Sequence, residues 1–299
     1  EDPEDIITKY RYRIVDKDNN ILIDWQDIYT SDYFVDVSHP LNLIDGKIYF
    51  VEVQARYQDG NYTHSGWSNL TIDSTAPTDL VINTDEYGNS NSLQVSWQAK
   101  EDHSSIDYQL KLGTTLGGNE VLDWFHVGQK QNYTFENIEL PDGEVVYVSV
   151  LATNSSGLSV TNVSNPIILD QTAPPEPNLI DGGMYTNRND ELSVSWKWTI
   201  DDPDSGTDRF EIALLKNRDI NDNTKWTILS SDQEEFTFTE KLEHGTVYYV
   251  ALKTVNKVGL ETIVFSDGIL VDITKPTPPV IDDFGDYTST LDTIHAELS

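Results

Sequence analysis

Nine residues, "IDDPDSGTD" (200–208), hold four aspartates: Asp201, Asp202, Asp204 and Asp208. Carboxylate oxygens gathered this densely are the hard ligands that Ca²⁺ takes, usually about six to eight at a time. The spacing departs from the EF-hand loop, and no glutamate closes it. The competing reading is a solvated acidic loop. Calcium is the one cofactor the sequence offers a place for, and none is required.

Asn-x-Ser/Thr sequons offer a second chemistry, the attachment of N-linked sugar. They lie at Asn61, Asn132, Asn69, Asn162 and Asn154, in the order in which their positions favour it. Asn61 sits at a loop tip and Asn132 just before a strand. Asn154 comes last, because its repeat mate Asn256, in "NKVG", is no sequon, which points to a turn role for both.

Catalytic chemistry finds no foothold. The six histidines stand singly, with no His-x-x-His or Glu-x-x-His pair. There is no Gly-x-Ser-x-Gly elbow and no glycine loop opening a helix to cradle phosphate. The expectation is a non-enzymatic segment.

The whole chain bounds these readings. Its 299 residues carry 51 acids against 19 bases, a formal charge of −32. Nucleic acid and anionic membranes both demand a basic face and are excluded as partners. Cysteine is absent, so no disulfide braces the fold. No run of about 18 apolar residues spans a membrane, and the opening residues do not read as a signal peptide.

What must position the candidate residues is a repeat. The stretches "TIDSTAPTDLVI" (71–82), "ILDQTAPPEPNLI" (168–180) and "LVDITKPTPPVI" (270–281) share Asp-x-Thr-x-Pro. Their prolines Pro77, Pro174 and Pro276 lie 97 and 102 residues apart. Gly46, Gly143 and Gly245 keep the same two intervals, and Trp25, Trp124 and Trp226 lie 99 and 102 apart. A period near a hundred residues means whole domains in tandem.

Each repeat reads as β-structure. Leu93, Val95, Trp97 and Leu192, Val194, Trp196 alternate with polar residues, as a half-buried strand does. After each landmark glycine a second alternation follows, Tyr49-Val51-Val53-Ala55, Val146-Val148-Val150-Ala152 and Tyr248-Val250-Leu252-Thr254. "NSSGL" (154–158) and "NKVGL" (256–260) read as hairpin turns. The expected fold class is all-β: tandem antiparallel sandwiches with no substantial helix.

The order "LxVxW", a hairpin, an aromatic strand, then "L-x-x-G-x-x-Y-x-V-x-V-x-A-x-N-x-x-G" and a β-branched strand into "D-x-T-x-P" resembles the fibronectin type III domain across essentially the whole chain. The resemblance implies core tryptophans at Trp97 and Trp196. It also implies a tyrosine corner pairing Leu43 with Tyr49 and Leu242 with Tyr248. The middle repeat departs from it, with Val146 at the tyrosine position. The resemblance divides the chain into a partial domain at 1–74 (strands C to G), whole domains at 75–171 and 172–273, and the start of a further one at 274–299.

The proline seam ends each last strand, since proline brings no N–H to a ladder. Its Asp and Thr side chains can bond nearby backbone. The expectation is a semi-rigid rod, a spacer or filament component of a large extracellular or cell-surface protein. Its partners are then neighbouring domains of a longer chain, and possible further ones are other chains of an assembly or glycans. The rival readings are an adhesin or ligand-binding segment, and accessory domains of a secreted enzyme whose catalytic domain lies elsewhere. Trp25, Trp124 and Trp226, recurring near a sheet edge, either offer a stacking row or pack within each sandwich.

Overall fold

The computed structural model describes residues 6–28, 37, 41–198, 201–282, 293 and 297–298. Every regular element among the described residues is a strand. The chain forms two compact units, Glu1–Asp170 and Gln171–Ser299.

The first unit opens with an antiparallel sheet of β1 (Ile7–Asp16), β2 (Ile21–Ile28), β3 (Ile48–Tyr57) and β4 (Gly66–Thr71), in the order β2-β1-β3-β4. Asn19, at φ 63°, turns β1 into β2, and the Asp16 carboxylate fastens that turn by accepting the Asp18 and Asn20 N–H groups.

A sandwich follows. Its strands are β5 (Thr78–Thr84), β6 (Tyr87–Gly88), β7 (Leu93–Lys100), β8 (Ile106–Gly113), β9 (Leu122–Gly128), β10 (Asn132–Phe135), β11 (Val145–Asn154), β12 (Ser159–Val163) and β13 (Ile167–Leu169). One sheet runs β10-β7-β5, the other β6-β13-β11-β8-β9 with β12 also on β11. The period-two residues meet between them. Leu93, Val95 and Trp97 from one sheet face Leu110, Leu112, Val146, Val148 and Val150 from the other, and all are buried. Ser96 points outward, as the alternation requires.

The second unit repeats this plan. Its strands are β14 (Asn178–Ile180), β15 (Tyr185–Thr186), β16 (Leu192–Lys197), β17 (Thr207–Leu215), β18 (Thr227–Ser230), β19 (Glu235–Phe238), β20 (Val247–Asn256), β21 (Glu261–Phe265) and β22 (Ile269–Val271). The sheets run β14-β16-β19 and β15-β22-β20-β17-β18, with β21 on β20. Trp196 and Phe210 fill the centre edge to face, with centroids 5.3 Å apart. Burying the Phe210 side chain contributes roughly 1.5–3 kcal/mol. A short pair, β23 (Ile281–Asp282) and β24 (Glu297–Leu298), lies at the end of this unit. Most of 283–296 lies outside the described residues, and so does most of the expected start of a further domain.

Each sandwich differs from seven continuous strands, because its first and last strands are both broken. The first crosses between sheets: β5 pairs with β7, and β6 then pairs in parallel with β13. The last is interrupted at Ser164–Pro166 and again at Ser266–Gly268. At each break a serine hydroxyl takes over a ladder bond, Ser164 Oγ accepting the Val148 N–H and Ser266 Oγ the Val250 N–H. The tyrosine corner forms where a tyrosine exists. Tyr49 Oη accepts the Ile44 N–H at 3.2 Å and Tyr248 Oη the Glu243 N–H at 3.0 Å. Leu242 is buried beneath its corner, whereas Leu43 is 37% exposed. Val146 fills the middle position with a fully buried apolar side chain instead.

Candidate functional site

The seam after β4 is held by several side-chain hydrogen bonds. Asp73 begins it, and the carboxylate Oδ2 accepts from Ser104 Oγ at 2.7 Å and from Asn154 Nδ2 at 2.9 Å. Its Oδ1 is buried without a hydrogen bond. The same Asn154 amide reaches the Thr75 carbonyl at 2.8 Å and Glu101 Oε2 at 3.2 Å. On its other side, Asn154 Oδ1 accepts the Ser156 and Leu158 N–H groups and so shapes the hairpin into β12. One buried asparagine therefore fixes a turn and ties the linker to it.

Asp45 closes the seam from the turn before β3. Its Oδ1 accepts the Ser74 N–H and hydroxyl, and its Oδ2 lies 3.1 Å from His103 Nε2. The carboxyl is held below its ordinary value by the Ser74 N–H first and the Ser74 hydroxyl next. His103 adds to this, and desolvation opposes it. Gly46 is required here twice over. Its φ is 73°, and a Cβ would fall 2.6 Å from the His103 ring.

The second unit carries the same device. Asn256 Nδ2 donates to the Thr172 carbonyl at 3.0 Å and to Asp202 Oδ2 at 3.3 Å. Thr262 Oγ1 donates to the Pro174 carbonyl at 2.6 Å. Past β22, Asp272 Oδ1 accepts the Thr274 N–H and hydroxyl, which hold its carboxyl below the ordinary value. The first two Asp-x-Thr-x-Pro stretches are thus tethered by an asparagine distant in sequence, and the third is folded by its own Asp and Thr side chains.

The acidic loop is also internally bonded. Asp202 Oδ1 accepts the N–H groups of Asp204, Ser205 and Gly206. Asp201 Oδ1 accepts the Thr207 N–H and hydroxyl. Asp208 faces Arg209 at 2.9 Å. Among the described residues, Asp201, Asp202 and Asp208 join no group of three or more ligands that could hold a metal ion.

The sequons differ in what their amides already do. Asn154 is 4% exposed and its Nδ2 is committed to the seam. Asn162 Nδ2 donates to the Leu80 carbonyl, and Asn61 Nδ2 to Asp59. Asn69 and Asn132 are exposed on β4 and β10. Each recurring tryptophan is covered by a strand cation: Trp25 by Arg11 at 4.2 Å, Trp124 by Lys111 at 4.8 Å and Trp226, just before β18, by Lys253 at 4.7 Å. Arg11 also stacks on Tyr62 at 3.5 Å.

Sequence reasoning passed over Asp45, Glu101, His103 and Ser104. A signal existed for Asp45: an acid also precedes the second landmark glycine, in "PDG". The partners on the β7–β8 loop carry no fixed spacing from it.

No family model matches the sequence. Among solved structures, the chain is similar to the FN1–FN3 domains of chicken CNTN1, with 16% identity, 87% of this chain and 90% of that chain covered, and a TM-score of 0.44. It is also similar to the fibronectin(III)-like modules of Clostridium thermocellum CbhA, with 10% identity, 64% and 94% covered, and a TM-score of 0.40. A tetra-tandem repeat in the extending region of a large adhesion protein matches at 19% identity, 91% and 69% covered, and a TM-score of 0.31. The sheets themselves establish tandem β-sandwiches of fibronectin type III-like form, and no helix among the described residues is long and apolar enough to cross a membrane.

Proposed function

We propose that this chain is a non-enzymatic, semi-rigid spacer segment of a large extracellular or cell-surface protein, or of a filament built from such chains. Its modules are 75–171 and 172–273, with 1–74 and 274–299 belonging to the modules on either side. The observation that carries this reading is the tether of the linker by Asn154, through Thr75 and Asp73. A linker meant to swing freely would leave its backbone to water. Here its carbonyl and its carboxylate are both spoken for, and the adjoining Asp45–Ser74 bonds remove further freedom. Calcium in the acidic loop and sugar on the exposed sequons are compatible additions, and neither is needed for a spacer.

The absence of cysteine makes the test clean, since introduced thiols are the only ones. Spin labels at Asp18→Cys and Lys130→Cys report the distance across the first seam. A narrow distribution is expected in the full chain, broadening in Asn154→Ala combined with Asp45→Ala. A distribution already broad in the unaltered chain would overturn the reading.

A further inference from the structure

The outward face of the β5–β7–β10 sheet is a cleft of about 320 Å³. Register fixes what lines it. Asn83, Ser96 and Asn132 stand in one row across the three strands, and Gln94 and Thr134 stand opposite each other in the next, with Asp85 at the rim. All six are exposed, and among the described residues none of their side chains bonds to another group of the chain.

The second unit supplies an internal control. The equivalent face of its β16–β19 pair opposes Ser193 to Thr237 and Ser195 to Glu235. There Ser193 and Thr237 bond to each other at 2.9 Å. One sandwich bonds a cross-strand pair of this face to itself, and the other leaves its amides and hydroxyls open.

The lining selects a ligand class. Amides and hydroxyls each offer donors and acceptors, the pattern that sugar hydroxyls meet. In a chain of charge −32 an anion is repelled, and a cation would seek more than one carboxylate. A neutral polyhydroxylated ligand remains. Asn132 begins the sequon Asn132-Tyr133-Thr134 and lies in the cleft itself. Neighbouring strands are about 4.8 Å apart, so Asn83 is roughly 10 Å from Asn132, within reach of the first sugars of an attached chain.

We propose that this cleft is a saccharide seat, occupied by the glycan that Asn132 carries. Attachment is group transfer by a host enzyme from a glycosyl diphosphate donor. The Asn132 nitrogen bonds to the anomeric carbon, the carbon–oxygen bond breaks, its electron pair leaves with the diphosphate, and the amide proton passes to a base. The first sugars then lie across Ser96, Gln94 and Asn83, which sit on paired strands and need no rearrangement. The proposal rests on the extracellular reading.

The test takes the full chain from a secreting, glycosylating host. Mass analysis should find sugar on Asn132. Amide exchange at 93–96 and 132–135 should be about fivefold or more slower before enzymatic release of the glycan than after. Asn83→Ala with Gln94→Ala leaves the sequon intact, so it should keep occupancy and abolish that difference. Occupancy without any difference overturns the seat. An unoccupied Asn132 overturns the attached source. The same chain from a non-glycosylating host, titrated with diacetylchitobiose, tests the chemistry free of attachment: shifts confined to the three strands support it, and none counts against it. Protease access on intact source cells tests the extracellular reading separately, so the two failures are distinguishable.

Discussion

The side-chain amide of Asn154 donates to the backbone carbonyl of Thr75, 79 residues earlier, at 2.8 Å. Asn256 makes the matching bond to Thr172 at 3.0 Å. In each case a side chain at the end of the central strand holds the linker that opens its own sandwich.

Removing that amide should be costly. Asn154→Ala takes from the Thr75 carbonyl its side-chain donor and leaves Asp73 with Ser104 alone, so about 1–3 kcal/mol should be lost in urea denaturation of the full chain. Asn154→Asp should be worse than alanine, because it sets a third carboxylate beside Asp73 and Glu101. An aspartate variant as stable as the parent would contradict the tether.

Acid should loosen the seams. Asp45 and Asp272 have folded values below the ordinary 3.8, caused first by the Ser74 N–H and by the Thr274 hydroxyl respectively. Each therefore adds stability that is present above 3.8 and disappears as the pH falls through the lower folded value. Exchange of the Ser74 amide should accelerate beyond its intrinsic pH trend in that window. Asp45→Asn should flatten the response.

The tyrosine corners should be worth measuring one at a time. Tyr248→Phe removes the acceptor of the Glu243 N–H and should lower stability by about 0.5–1.5 kcal/mol. Tyr49→Phe should cost no more, since its bond is longer at 3.2 Å. The β7–β11 sandwich has no such bond to lose.

In the acidic loop, Asp202→Asn keeps an oxygen that accepts the three backbone N–H groups, whereas Asp202→Ala does not. In calcium-free buffer the alanine variant should therefore melt earlier than the asparagine one. A rise in Tm with millimolar calcium, abolished by Asp202→Asn, is the signature of a metal in this loop.

Much of the fold was legible because it is local. Leu93-Val95-Trp97 and Val146-Val148-Val150 announce their buried face by alternation, and Gly46, Gly143 and Gly245 mark turns that need positive φ. The broken outer strands were not legible. Whether residue 87 pairs with β7 or crosses to β13 depends on strands some 80 residues later. The same holds for the seam. The repeat pointed to a turn role for Asn154, but its reach to Thr75 is set by how the hairpin packs over the linker. The cations over Trp25, Trp124 and Trp226 come from β1, β8 and β20, so no single spacing announced them. The cleft at Asn132 likewise draws on three strands far apart in the chain.

The parallel pairing of β6 with β13 bears on what happens when the chain is pulled. The backbone bonds that join them include Ile168 N–H to the Glu86 carbonyl at 3.0 Å and Asp170 N–H to the Gly88 carbonyl at 2.9 Å. The second sandwich repeats both, Leu270 to Met184 and Asp272 to Thr186, each at 2.9 Å. One strand of each pair lies near where the chain enters its sandwich and the other where it leaves. Tension along the chain slides the two past each other, so these bonds are loaded in shear together rather than unzipped in turn. Each sandwich thus carries its own mechanical latch, placed where traction first arrives.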